Sequence, residues 1–177
     1  MKKHFIKNKK IVIIGGAGFI GHNLSLELKK LRANITVIDN LKVNNLYSLN
    51  HKSSKFPFPK LTKKIVIERL RLLKKNKIKI YKTDAKDHKK LHLVLNKIKP
   101  NVIIHLAAVS HANKSNIDPH TSFDNSLRTL ENSLDYAKNK IEHFVFLSSS
   151  MVYGDFKKKI VLEKDICSPK GIYAGLK

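Results

Sequence analysis

Short apolar runs alternate with longer amphipathic stretches along most of this chain. Ile11-Val12-Ile13-Ile14 sets four branched apolar residues in a row, which suits a strand buried on both faces, as in a parallel sheet. Ile20, Leu24, Leu28 and Leu31 follow at helical spacing and predict one apolar stripe on a helix. Ile35-Thr36-Val37-Ile38 reads as a second strand. Residues 62–75 read as a helix with Ile65, Arg69 and Leu72 or Leu73 in phase, and residues 78–81 alternate like a strand. Leu91, Val94, Leu95 and Ile98 share a face of a helix over residues 87–99, which Pro100 stops. Residues 102–106 form a further strand. Residues 121–140 read as a helix with Phe123, Leu127, Leu130, Leu134 and Ala137 as its core face, and residues 143–147 as the next strand. The polar stretch 40–60, with Asn44-Asn45, Ser53-Ser54, Pro57 and Pro59, reads as an unusually long loop. Strand and helix in turn predict an α/β fold, a doubly wound parallel sheet with right-handed crossovers in one domain over residues 1–177.

In such a sheet the ligand lies outside the carboxyl ends of the strands. The segments there are Gly15 to Gly21, Asp39, Asp84-Ala85, Ala107-Ala108 and Ser148-Ser149-Ser150, and they are expected to converge on one cleft. Gly15-Gly16-Ala17-Gly18-Phe19-Ile20-Gly21 joins the first strand to the first helix. Gly15 permits the turn, Gly18 lets a pyrophosphate approach the backbone, and Gly21 lets helix and strand pack closely, while N–H groups at the helix start take the phosphate charge. A glycine pattern alone is weak evidence, but context strengthens it. Asp39 ends the second strand eighteen positions beyond Gly21, where a carboxylate binds a ribose hydroxyl. That carboxylate repels a 2′-phosphate, so the expected cofactor is NAD rather than NADP.

Composition narrows the class. The chain is 177 residues long and 42% hydrophobic, enough for one domain with a substantial core. No apolar run approaches the roughly 18 residues of a membrane span, and the basic start has no signal-peptide core behind it, so a cytoplasmic protein is expected. Cys167 is the single cysteine, which excludes an internal disulfide and fits a reducing compartment. His88 and His92 have helical spacing, but Lys89 stands where a zinc peptidase needs glutamate, so they read as a solvated face and no metal is expected. Lys and Arg number 36 against 13 Asp and Glu, a net charge of +23 that raises the question of nucleic acid. The lysines are spread through every segment with no zinc-finger, helix-turn-helix or ribonucleoprotein signature. Non-specific polyanion binding at low salt is the expected limit.

At the far end, Tyr173-Ala174-Gly175-Leu176-Lys177 is Y-x-x-x-K, whose spacing places phenol and ammonium on one side of a helix. A cation beside a phenol favours the phenolate that a general base needs. The serine run after the Phe144 strand offers a hydroxyl to the same substrate oxygen.

These motifs, with Asp39-Asn40-Leu41, His105-Leu106-Ala107-Ala108 and Ser148-Ser149-Ser150-Met151-Val152-Tyr153-Gly154, resemble the extended short-chain dehydrogenase/reductases. Within them the chain is most similar to NAD-dependent sugar-nucleotide epimerases and dehydratases. The resemblance covers almost the whole chain. It implies that Gly15, Gly18, Phe19, Ile20 and Gly21 hold the pyrophosphate and that Asp39, with Asn40 beside it, holds the adenosine ribose. Asp84 and Ala85 then flank the adenine, Leu106, Ala107 and Ala108 line the cofactor path with Asn125 near it, and Lys177 binds the nicotinamide ribose. Tyr173 is the implied base and Ser149 the hydroxyl bonded to the reacting oxygen. Dehydratases of this family carry a glutamate two residues after that serine or threonine. Met151 stands there in this chain and cannot transfer a proton, which favours a UDP-glucose 4-epimerase-like reaction through a transient 4-keto sugar.

The resemblance also implies a small C-terminal substrate domain that this sequence lacks. The expectation is therefore the cofactor-binding half of a nucleotide-sugar enzyme, with weak NAD binding and no turnover by the 177 residues alone. A homodimer of the full-length protein is a further family expectation. The alternatives are a 4,6-dehydratase or reductase of the same family, or a non-catalytic NAD-binding module.

Overall fold

A computed structural model describes residues 5–43, 46, 58–110, 112–138, 140–156 and 158–177. The apolar run at the start is β1 (Lys10–Ile14), and Ile11 to Ile14 are all at most 2% exposed. Alternation along a strand sends these residues to opposite faces, and each face has its own core. Ile11 and Ile13 pack with Ala17, Ala33, Ile35, Val37, Leu73 and Ile78. Val12 and Ile14 pack with Ile38, Ala85, Leu91, Leu95, Ile103 and Tyr136. A strand with helices over both faces has no need of polar residues, which is why β1 reads as an unbroken apolar run.

The elements follow in strict alternation at first: α1 (Phe19–Lys30), β2 (Asn34–Asp39), α2 (Pro59–Lys75), β3 (Lys79–Lys82), α3 (His88–Ile98) and β4 (Val102–His105). Then come α4 (Ala112–Ile117), α5 (Pro119–Phe123), a π-helical turn (Asp124–Arg128), α6 (Thr129–Ala137), β5 (His143–Phe146), a 3-10 turn (Ser150–Tyr153) and α7 (Gly171–Gly175). All strand pairs are parallel, in the order β3-β2-β1-β4-β5, so the chain reverses direction across the sheet between β1 and β4. This is the expected doubly wound sheet. Most of the expected long loop, residues 40–60, lies outside the described residues.

Three helices turn different faces inward from those the apolar spacing predicts. In α1 the buried residues are Gly21, His22 and Ser25, while Leu24 and Leu28 are half-buried and Ile20 is exposed. The small residues Gly21 and Ser25, one turn apart, let the helix settle onto β1, and Ser25 Oγ donates to the Gly21 carbonyl at 2.7 Å. In α2 the inward stripe is Val66, Leu70 and Leu73, one position removed from the expected Ile65 and Arg69 phase, and Ile65 is exposed.

The third correction is the largest. The expected helix over residues 121–140 begins at Pro119 and contains the π-helical turn, and its inward face is Ser122, Ser126, Thr129, Asn132, Ser133 and Tyr136. Phe123, Leu127 and Leu134, expected in the core, are roughly half exposed. The inward hydroxyls are satisfied locally: Ser122 Oγ donates to the Asp118 carbonyl at 2.9 Å and Ser133 Oγ to the Thr129 carbonyl at 2.7 Å. Short side chains that bond back onto their own helix bury cheaply and allow a close approach to the sheet.

His105 closes β4 and is buried, with its ring over Phe144 and Phe146, 6.2 Å from each by centroid. Its Nδ1 has no hydrogen-bond partner among the described residues. Burial lowers its pKa from 6.5 to about 4, with the nearby Lys177 cation acting in the same direction and a backbone bond at Ala107 opposing. Below the unfolded pKa the unfolded chain takes up a proton that the fold refuses, so stability falls as pH drops from 6.5 toward 4. At ~1.4 kcal/mol per unit the loss is about 3 kcal/mol. Urea unfolding between pH 7 and pH 4 should show this share of the acid sensitivity in the parent and not in His105→Gln; equal pH slopes would refute it.

Candidate functional site

The carboxyl ends of the strands open onto a cleft of about 950 Å³ at the point where the chain order reverses. Its floor is the glycine turn between β1 and α1. Gly15 has φ +79°, and a Cβ there would lie 2.8 Å from the Ala107 nitrogen, so the turn and the strand beside it both require glycine. At Gly21 a Cβ would come within 2.5 Å of the Gly16 Cα, so the close approach at this glycine is of the α1 start to the turn after β1 rather than to the strand itself. Gly18 is different: a Cβ there would meet only the Gly15 carbonyl, at 3.5 Å. Gly18 caps α1, whose first turn carries no acidic residue and no side-chain cap bond. The helix start is thus left open to an anion in the cleft.

Asp39, at the end of β2, stands at the mouth of this turn. Its Oδ2 accepts from the Ala17 N–H at 2.9 Å and its Oδ1 from the Leu41 N–H at 2.7 Å. Burial pushes its carboxyl up, and the two backbone N–H groups pull against that rise. Two bonds leave roughly half of a carboxylate's acceptor positions for a ligand hydroxyl.

Asp84 behaves differently. It accepts from Lys42 Nζ at 2.9 Å, Asn40 Nδ2 at 3.2 Å and the Lys86 N–H at 3.1 Å. Partial burial disfavours its charge, but these donors outweigh it and hold the carboxyl below its ordinary range. Asp84 therefore ties the loops after β2 and β3 together.

Of the residues singled out in the sequence, Gly15, Gly18, Phe19, Ile20, Gly21, Asp39, Asn40, Ala85, Leu106, Ala107, Ala108 and Asn125 line this one cleft. Asp84, Ser149, Tyr173 and Lys177 do not line it. The last three gather at the end of β5. Ser149 Oγ accepts from the Met151 N–H at 3.3 Å and so starts the 3-10 turn. Ser148 Oγ donates to the Lys177 carbonyl at 2.7 Å. The Lys177 ammonium lies 5.6 Å from the Tyr173 ring centroid, as the i, i+4 spacing requires, and burial pushes its pKa down. Leu147, just before the serines, lines the cleft, so the β5 end connects the two groups.

Three positions escaped the sequence reading. Thr129 Oγ1 bonds to the Ala107 carbonyl at 3.2 Å, and Ser126 Oγ accepts from the Val109 N–H at 3.1 Å. Asn132 Nδ2 holds the carbonyls of both Ala85 and Lys86 at 2.9 Å. With His105 behind Thr129 at 3.5 Å, these residues fix the loops of the cleft from α6 and the π-helical turn. A polar residue inside a helical pattern was their only signal, and periodicity discards it.

The comparisons agree with this arrangement. The sequence model of the NAD dependent epimerase/dehydratase family matches residues 11–177. The chain is 30% identical over 146 residues to the bifunctional protein GAL10 of Pachysolen tannophilus, covering 82% of this chain and 19% of the relative. It is also 30% identical over 154 residues to the dTDP-D-glucose 4,6-dehydratase of Dictyostelium discoideum, covering 82% and 30%. Among solved structures, the UDP-Glc/GlcNAc 4-epimerase of Campylobacter jejuni matches with a TM-score of 0.76 at 26% identity, over 96% of this chain and 46% of that one. The chain thus spans less than half the length of these relatives. The glycine cradle, the open helix start and the free acceptor positions of Asp39 fit the dinucleotide that the family uses. With the family match over nearly all of its residues and this cleft at the reversal of its sheet, the chain belongs to the NAD-dependent epimerase/dehydratase family.

Proposed function

We propose that the protein acts on a nucleotide sugar as an NAD-dependent 4-epimerase. The observation that carries this reading is Met151, two residues after Ser149, where the resembling dehydratases place a glutamate. A thioether neither gives nor takes a proton, so the proton abstraction needed for water loss has no base at that position. The UDP-Glc/GlcNAc 4-epimerase of Campylobacter jejuni supports the same reading. The Dictyostelium discoideum 4,6-dehydratase, 30% identical to this chain, is the observation that favours water elimination instead.

The residues divide the work. Gly15, Gly18, Phe19, Ile20 and Gly21 hold the pyrophosphate at the α1 start, Asp39 and Asn40 the adenosine ribose, and Ala85 the adenine side, while Asp84, expected there too, instead braces the loops behind it. Leu106, Ala107, Ala108 and Asn125 flank the path toward β5. The chemistry that a bound NAD supplies is reversible hydride acceptance at its nicotinamide ring. Tyr173 takes the proton of the sugar hydroxyl, Ser149 holds that oxygen by a hydrogen bond, and Lys177 keeps the phenolate available while binding the nicotinamide ribose. With the 4-keto sugar turned over, Tyr173 would return its proton to the C4 oxygen as C4 takes back, on its opposite face, the hydride that a bound NADH would supply. A cytoplasmic setting suits a nucleotide-sugar substrate, and no helix among the described residues is long and apolar enough to cross a membrane. The exposed Leu93, Phe123, Leu127 and Leu134 offer an apolar face on α3 and α5–α6 for a second copy of the chain.

Three outcomes test this reading. The full-length protein incubated with UDP-glucose and NAD should yield the 4-epimer by NMR without net NADH, and Tyr173→Phe should lower kcat about 100-fold or more, as loss of a general base does. A 4-keto-6-deoxy product would select the dehydratase reading. Asp39→Asn should weaken NAD binding roughly 10- to 100-fold by calorimetry, the ~1.5–3 kcal/mol of a hydrogen bond to a charged group. Leu127→Glu should convert the dimer to monomer in light scattering; a parent that is already monomeric would refute the dimer.

A further inference from the structure

Away from the nucleotide cleft, three side chains on the outer helical layer are arranged as a ligand set. His88 and His92 stand one turn apart on α3, and Asp135 comes from α6 packed beside it. Both imidazoles address the same carboxylate oxygen: His88 Nε2 is 2.8 Å from Asp135 Oδ2 and His92 Nε2 is 3.6 Å from it. The two rings lie 3.9 Å apart by centroid. A ligand atom from each of the three residues falls within 4.8 Å of the other two. At zinc–ligand bonds of ~2.0–2.1 Å, neighbouring ligands of a tetrahedron stand roughly 3.3 Å apart, midway between the two nitrogen–oxygen separations observed.

We propose that His88, His92 and Asp135 bind a divalent transition-metal ion of the zinc type and thereby clasp α3 to α6. Two imidazoles and a carboxylate are the donor set that such ions prefer over calcium or magnesium. The set is graded in exposure. The side chain of His92 is 19% exposed, while those of His88 and Asp135 are about half exposed, which gives an anchored inner ligand, two outer ones and a mouth where water completes the coordination.

The inner ligand is also oriented. The Tyr136 ring meets the His92 ring edge-on at 5.4 Å, and the Asn132 carbonyl lies 3.2 Å from His92 Nε2. In the metal-free protein that nitrogen donates to the carbonyl; with metal bound, the ring carries its proton on Nδ1 and turns the Nε2 lone pair into the notch. The plain alternative is a surface ion pair between His88 and Asp135. An ion pair uses only one imidazole, whereas a bound cation uses both rings together with the carboxylate that each of them faces. The cation that opposes binding is Lys140, which acts on Asp135 from the end of α6 and lies 4.9 Å from the Tyr136 ring. The clasp has a consequence for the cleft, because α6 carries Thr129 and Asn132, which hold Ala107 and Ala85.

Cobalt(II) chloride titrated into tag-free, chelator-treated full chain reads the site directly through its visible d–d absorption. The expected result is a band that saturates at one equivalent, is abolished by zinc, and weakens about tenfold or more in apparent affinity in His92→Ala and in Asp135→Asn. His143→Ala, an exposed histidine on β5, should leave it unchanged. Zinc should raise the melting temperature of the parent and not that of Asp135→Asn, whose exposed position keeps the variant folded, as circular dichroism checks. Absence of a band at one equivalent, or a band of undiminished affinity in both ligand variants, would overturn the site.

Discussion

The whole arrangement rests on how closely α1 settles against the end of β1. At Gly21 the helix backbone comes so near the Gly16 Cα that no side chain fits between them, and at Gly15 the chain turns against the Ala107 backbone just beyond β4. That contact sets the α1 start at the rim of the cleft, where Gly18, Phe19, Ile20 and Gly21 line it and Asp39 reaches the Ala17 N–H. A longer side chain at Gly21 would lift the helix start and separate these elements together.

The opposite wall uses a second form of close packing. Where α1 approaches through missing side chains, α5 to α6 approaches through short polar ones whose hydroxyls bond to their own helix. The π-helical turn then shifts the register within this segment, and such turns recur at functional sites for that reason. Here it presents Ser126 to Val109 and Thr129 to Ala107, so the wall is stitched to the strand end through hydrogen bonds rather than apolar contact. The apolar residues that a helical core would have used are left pointing outward.

These two modes of packing explain what sequence could and could not reveal. The alternation of parallel strand and helix was legible because β1, buried on both faces, reads as an unbroken apolar run, and β2 and β4 carry apolar cores of their own. The cleft was legible for a related reason: Gly15, Gly21 and Asp39 each answer a local steric or electrostatic demand that few residue types meet. The inward faces of α1 and α6 were not, since periodicity counts large apolar residues while these helices bury Gly21, Ser25, Ser126, Thr129 and Ser133. Asn132 shows the same limit. Its amide clamps the Ala85 and Lys86 carbonyls from 47 and 46 positions away, and nothing local in the sequence marks it.

The charge of the chain gives the cleft a further constraint. With 36 basic residues against 13 acidic ones, any exposed carboxylate is readily claimed by a lysine, as Asp84 is by Lys42 and Glu142 by Lys9. Asp39 escapes this. Its partners are two backbone N–H groups, and among the described residues no cation pairs with it. Backbone donors stabilise the carboxylate without filling its outward acceptor positions, whereas a lysine would occupy them and replace the demand for a hydroxyl with tolerance of an anion. In so basic a protein, an acceptor left open at Asp39 depends on its being held by backbone donors rather than by a lysine.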